Sequence, residues 1–307
     1  MANKKKPARR PSGLTGGKLG SLFWLLAIVG LMIISAVLYF SLDLSANRKH
    51  HSRNVSQAQR LSTADSPLVP RPKPTDRPRS QGPRITNNSP KIAIIIDDLG
   101  YSLERALPFL GLPCSITLSV LPSLPYSAPI ARKAKEEGKG VMMHLPMESK
   151  TGKEPGPGAV TMEMPSPELR QQIAEDLESV PGATGVNNHM GSLGSEDRAL
   201  SRRIMEYMKE RDLFFIDSRT SPDSVLGAVA LECGVRCLCR AIFLDHEDQP
   251  DRIREKLVEA ADLALKQGMA VAIGHPRPNT ALVLQEAVTL FSGKGVQLIT
   301  ADDLWGE

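Results

Sequence analysis

The chain has 307 residues, 41% of them hydrophobic and 4% aromatic, with 38 Lys and Arg against 34 Asp and Glu. So few aromatic rings argue against a broad stacking platform for sugar or nucleic acid. The net charge of +4 comes from the N-terminal tail and the linker after it, so it says little about the folded part, and no nucleic-acid partner is expected.

Residues 1–18 carry Lys4, Lys5, Lys6, Arg9, Arg10 and Lys18 and no acid. Leu19 to Leu42 then holds no charge, long enough for the roughly 20 residues a helix needs to cross a bilayer. A cleaved signal peptide is the competing reading, with Ser45-Ala46 as the cut, but its apolar region usually spans about 7–15 residues. The basic tail predicts a cytoplasmic N-terminus, a single-pass anchor in the inner (cytoplasmic) membrane, and a C-terminal body in the periplasm or outside the cell. Residues 43–90 mix Pro70, Pro72, Pro74, Pro78 and Pro83 with Arg, Ser, Asn and Gln, without apolar periodicity. Such a segment buries too little to offset its ordering entropy and reads as a disordered linker.

From Lys91 to Glu307 the chain alternates strand-like runs with helical segments, the pattern of one α/β domain with parallel strands. The runs are Ile92–Ile96, Ser115–Leu121, Lys139–His144, Thr184–Asn188, Leu213–Ile216, Arg240–Leu244, Met269–Gly274 and Val296–Thr300. Ile92–Ile96 has no polar alternation, as in a strand buried on both faces. The spacing predicts a helix over Asp251–Gln267, with Ile253, Leu257, Ala260, Ala261 and Ala264 on one stripe and Gly268 as its stop. Seven or eight such units close, or nearly close, an irregular (β/α) barrel.

A barrel gathers the C-terminal ends of its strands on one face. The polar groups at five of these ends are Asp97-Asp98, His144 with Glu148, Asn187-Asn188-His189, Asp217-Ser218-Arg219, and His275-Pro276-Arg277. Adjacent acids such as Asp97 and Asp98 ionise together cheaply only with positive charge between them. Imidazole and carboxylate together are the ligand set of zinc or another divalent first-row metal. A metal triad, a general base and a general acid are available from Asp97, Asp98, His144, Glu148, His189 and His275, which is hydrolytic chemistry. His246, in the acidic run His246-Glu247-Asp248, reads as loop. No P-loop or dinucleotide fingerprint is present.

IIIDDLG, ITLSVLP, HLPME, GVNNHMGS, FFIDSRT and AIGHPRP, in that order, resemble the divergent polysaccharide deacetylase family over Lys91 to Leu304. The resemblance implies an irregular (β/α) barrel acting on N- or O-acetyl groups of an envelope polysaccharide with a divalent metal, Zn2+ by preference. It makes Asp97 the base, Asp98 and His144 metal ligands, and His275 the acid. Glu148 stands where the better known deacetylases have a second histidine, so the third ligand is His189, the favoured choice, or Glu148. An arginine segment of those enzymes is absent; Arg219 or Arg277 could orient the base or hold a substrate carboxylate, and Asn188 and Asp217 are expected near the substrate. A backbone N–H near Met190 or Gly191 could help to hold an oxyanion. The altered motifs also fit a catalytically inactive glycan- or protein-binding envelope module, and, less well, a metal-dependent hydrolase of another ester or amide.

Cys233, Cys237 and Cys239 could form a disulfide in an oxidising compartment or remain buried thiols; Cys114 lies apart. Met142, Met143, Met147, Met162 and Met164 read as core and pocket lining, and Trp305 either closes the far side of the barrel or is exposed.

Overall fold

The computed structural model describes residues 89–306, so the predicted tail, anchor and nearly all of the linker lie outside the described residues. Among the described residues no helix is long and apolar enough to cross a membrane. The described residues form nine strands in chain order: β1 (Lys91–Leu99), β2 (Thr117–Val120), β3 (Gly140–Met147), β4 (Gly185–Met190), β5 (Phe214–Asp217), β6 (Cys237–Cys239), β7 (Ile242–Phe243), β8 (Met269–Gly274) and β9 (Gln297–Ile299). The helices are α1 (Leu103–Leu110), α2 (Ser127–Glu136), α3 (Ser166–Ser179), α4 (Arg198–Glu210), α5 (Leu226–Cys233), α6 (Pro250–Gln267), α7 (Pro278–Leu284) and α8 (Ala287–Lys294).

All pairings are parallel, in the order β6-β5-β4-β3-β2-β1-β8-β7, with β9 beside the first half of β1. The sheet is an open half-barrel: β6 and β7 are its two edges and do not pair. The sequence explains the opening. Parallel neighbours need a crossover of about a dozen residues or more, and only Arg240 and Ala241 separate β6 from β7. These two residues bridge the gap instead, Arg240 N–H donating to Asp217 O at 2.8 Å and Ala241 N–H to Val271 O at 2.9 Å. The run Arg240–Leu244 is thus partly bridge, and the short strand Cys237–Cys239 precedes it.

The β1 isoleucines are fully buried on both faces. Ile92, Ile94 and Ile96 pack under the helices, whereas Ala93 and Ile95 join Met142, Phe214, Ile216, Val271 and Ile273 inside the barrel. Helix α6 buries Ile253, Leu257, Ala260, Ala261 and Ala264, and Gly268 ends it at φ +87°. Trp305 packs on the inner cluster, 5.0 Å from the Phe214 ring. Gly185 makes room for that ring, which lies 2.3 Å from where a Cβ on residue 185 would sit. All four cysteines are free thiols. Cys237 and Cys239 share one short strand, where Cα atoms two residues apart lie roughly 6.6 Å from each other, near the upper limit for a disulfide.

Candidate metal centre and catalytic cleft

Strand periodicity places the site one layer above the inner core. Ile95, Met142 and Ile273 face inward, so Asp97, His144 and His275, two residues further on, face inward as well. Asp98 should point the other way. The β1–β2 register shifts between Ile96 and Leu99, and Asp98 adopts φ +58°, so the bulged backbone turns this second carboxylate into the same cleft. The cleft has a volume of about 510 Å³, and its walls include Asp97, Asp98, His144, His189, Arg240 and His275.

Three donor atoms converge there. Asp98 Oδ1 lies 2.9 Å from His189 Nδ1 and 3.3 Å from His144 Nε2, and the two nitrogens are 3.2 Å apart. Asp98 Oδ1 is buried yet has no partner of hydrogen-bond geometry, an arrangement that costs free energy unless something else satisfies it. Asp98, His144 and His189 can together hold a metal ion, and their donor set fits one.

Asn187 sets the protonation pattern around this group. Its Nδ2 donates to Asp97 Oδ1 at 2.8 Å and to Ser218 Oγ at 3.1 Å, so its Oδ1 is the atom that accepts from Ser119 Oγ at 2.6 Å. The same Oδ1 faces His144 Nδ1 at 2.9 Å, which places the imidazole hydrogen on Nδ1 and leaves Nε2 free to ligate.

The charges are strongly coupled. Burial lifts the Asp97 carboxyl above its ordinary range, against the pull of His144, His275 and the Asn187 hydrogen bond. For Asp98 burial acts upward too, but the adjoining imidazoles of His144 and His189 outweigh it and hold the carboxyl well below the usual range. Burial lowers His144, yet the charges of Asp97 and Asp98 carry it above its ordinary value. For His275 burial is likewise outweighed, first by the Asp245 hydrogen bond and charge.

Asp245 is fully buried at the foot of His275. Its Oδ1 lies 2.9 Å from His275 Nδ1, and its Oδ2 accepts from His275 N–H at 2.6 Å and Thr280 Oγ at 2.8 Å. With Nδ1–H held by that carboxylate, His275 Nε2 faces the cleft, 3.8 Å from Asp98 Oδ2. A carboxylate–imidazole pair in this orientation favours a proton carrier at Nε2.

Residues 94–305 match the divergent polysaccharide deacetylase family. The chain belongs to that family. An uncharacterized protein of Haemophilus influenzae is 36% identical over 215 residues, 70% of this chain and 76% of its own length. The uncharacterized protein YibQ of Escherichia coli is 35% identical over 198 residues, 64% of this chain and 62% of its own. An uncharacterized protein of Agrobacterium tumefaciens has a crystal structure of the same fold, with a TM-score of 0.68, 20% identity, and 73% of this chain and 93% of that one covered.

In this deacetylase-family chain the other predicted site residues are placed as follows. Glu148 stands outside the donor cluster, its Oε2 accepting from Met162 N–H at 3.2 Å. Asn188 holds a wall in place, accepting from Ser218 N–H at 2.8 Å and donating to Thr220 Oγ1 at 3.2 Å. Asp217 is buried and folds its own loop, accepting from Arg219 N–H and Ser224 Oγ, both at 2.8 Å. Arg219 lines the cleft. Arg277 lines a separate cavity and donates to Asp245 O at 2.5 Å. The Gly191 N–H, considered for an oxyanion, donates to Met147 O at 3.1 Å.

Sequence reasoning gave no role to three groups that the structure brings to the site. Asp245 lies just past the run Arg240–Leu244, two residues beyond β7, and was not among the strand ends singled out. Asn187 was passed over for its neighbour Asn188. Arg240 lies in the gap between the sheet edges, its Nε donating to Ser218 O at 2.7 Å, and its charge acts on Asp97.

Proposed function

We propose that the protein is a metal-dependent deacetylase that removes N- or O-acetyl groups from an envelope polysaccharide. In this reading residues 19–42 anchor it in the cytoplasmic membrane with the family domain on the outer side, and zinc is the favoured metal. The observation that carries the proposal is the buried, partnerless Asp98 Oδ1 facing two imidazole nitrogens, beside a separate buried carboxylate.

Asp98, His144 and His189 would hold the metal, which when bound would supply Lewis acidity at a carbonyl and lower the pKa of water. Asp97, raised by burial and steered by Asn187 Nδ2, accepts the proton of the attacking water. His275, kept protonated by Asp245, gives its Nε2 proton to the departing amine or alkoxide. Arg240, beside the cleft, offsets negative charge near Asp97.

The test is acetate release from acetylated glycans, with metal supplied and with chelator. The reading predicts chelator-sensitive release that falls about 10²–10⁴-fold in Asp97→Asn and His275→Ala. Metal binding without acetate release from any such polymer would sink it in favour of a glycan- or protein-binding module.

A further inference from the structure

A second cavity, of about 740 Å³, opens beside the catalytic cleft between α1 and α7. The two adjoin through one short segment: His275 lines the first, and Pro276 and Arg277 line the second. Two arginines, Arg105 and Arg277, are among the residues that line it. Neither forms an ion pair among the described residues, although Glu104 shares the wall. Arg277 is held in place by Asp245 O through Nη1, which leaves the rest of its fork for a ligand. A guanidinium fixed in this way is pre-organised for a planar carboxylate.

The remaining walls suit a sugar ring. Exposed Pro108 and Leu282 offer apolar edges, and Ser102 and Gln285 offer hydrogen-bonding groups for hydroxyls. Glu104 tolerates a monoanion in this space better than a dianion, which favours a carboxylate over a phosphate. We propose that the second cavity is a subsite for a carboxylate-bearing sugar unit of the polymer whose acetyl group reaches the catalytic cleft. The subsite gives the deacetylase reading, on which it rests, a substrate class: acidic rather than neutral acetylated glycans.

The experiment uses the full chain and two acetylated oligosaccharides of one backbone, one with free carboxylates and one with those groups as methyl esters. Binding by calorimetry and acetate release are measured for each, in wild type and in Arg105→Gln and Arg277→Gln. The acidic oligosaccharide should bind roughly tenfold more tightly than its ester, and each variant should remove most of that preference. Arg277→Gln also loosens the Asp245 backbone, so Arg105→Gln decides: it should weaken the acidic ligand alone. Equal affinity for the two ligands, or equal losses in Arg105→Gln, overturns the subsite. A carboxylate preference without acetate release keeps the subsite and defeats the deacetylase reading. Release from both ligands at equal affinity does the reverse.

Discussion

Asp176 on α3 is fully buried, and its Oδ2 has no hydrogen-bond partner. Its Oδ1 accepts from Gln172 Nε2 at 3.1 Å, and Gly158 closes over it so tightly that a Cβ there would lie 2.3 Å from the same oxygen. Burial, aided by the charge of Glu175 and only partly opposed by Gln172, lifts the carboxyl from 3.8 to about 7. At 1.36 kcal/mol per unit, ionising it in the folded protein costs about 4 kcal/mol more than in the unfolded chain. Because the folded pKa is raised, the native state holds the extra proton. Stability is therefore full below the unfolded value, declines as pH rises towards 7, and stays at its lower level above that. Asp176→Asn supplies a neutral group of the same shape at every pH. Thermal melts should show Tm on the order of 10 °C higher than wild type above pH 8, with little difference near pH 4. A variant equally stabilised at both pH values, or destabilised above pH 8, would refute the buried-charge argument.

Gly185→Ala drives a methyl group into the Phe214 ring, so denaturant melts should show a loss of about 1–3 kcal/mol, and Trp305 fluorescence should report a disturbed inner core. Asp245→Asn removes the charge that keeps His275 protonated. A general acid works below its pKa, so the alkaline limb of the kcat/KM profile should move to lower pH, and an unmoved limb would remove Asp245 from this role. Glu148→Gln should leave metal content unchanged, because its carboxylate serves the Met162 N–H; loss of the metal would restore Glu148 as a ligand. Chelation should lower Tm and added metal should restore it, since a ligand bound only by the folded state stabilises that state.

The parts of the fold legible in the sequence are those carried by long periodic signals. The unbroken β1 isoleucines mark a strand covered on both faces, and the α6 stripe marks a helix packed on the sheet. The strand ends named in advance supply Asp97, Asp98, His144, His189 and His275 to one cleft. What stayed hidden depends on register and backbone irregularity. Choosing Asn187 over Asn188 requires knowing which face of β4 points inward, and the residue that would signal it, Gly185, has no side chain. Asp98 reaches the cleft through a positive φ that no composition rule announces. Asp245 follows a two-residue strand whose identity depends on pairing with β8, a long-range contact without local periodicity. Arg240 matters because the barrel stays open at its position, which follows from the shortness of the link between β6 and β7 rather than from any motif.

The most direct measurement is the metal content of the purified protein by elemental analysis, in wild type, Asp98→Ala and His189→Ala. A single divalent ion per wild-type chain is expected, lost in both variants, with far-ultraviolet circular dichroism unchanged. Retention of the ion in either variant, or failure of the wild type to bind one on titration, would contradict the convergence of Asp98, His144 and His189 on a metal.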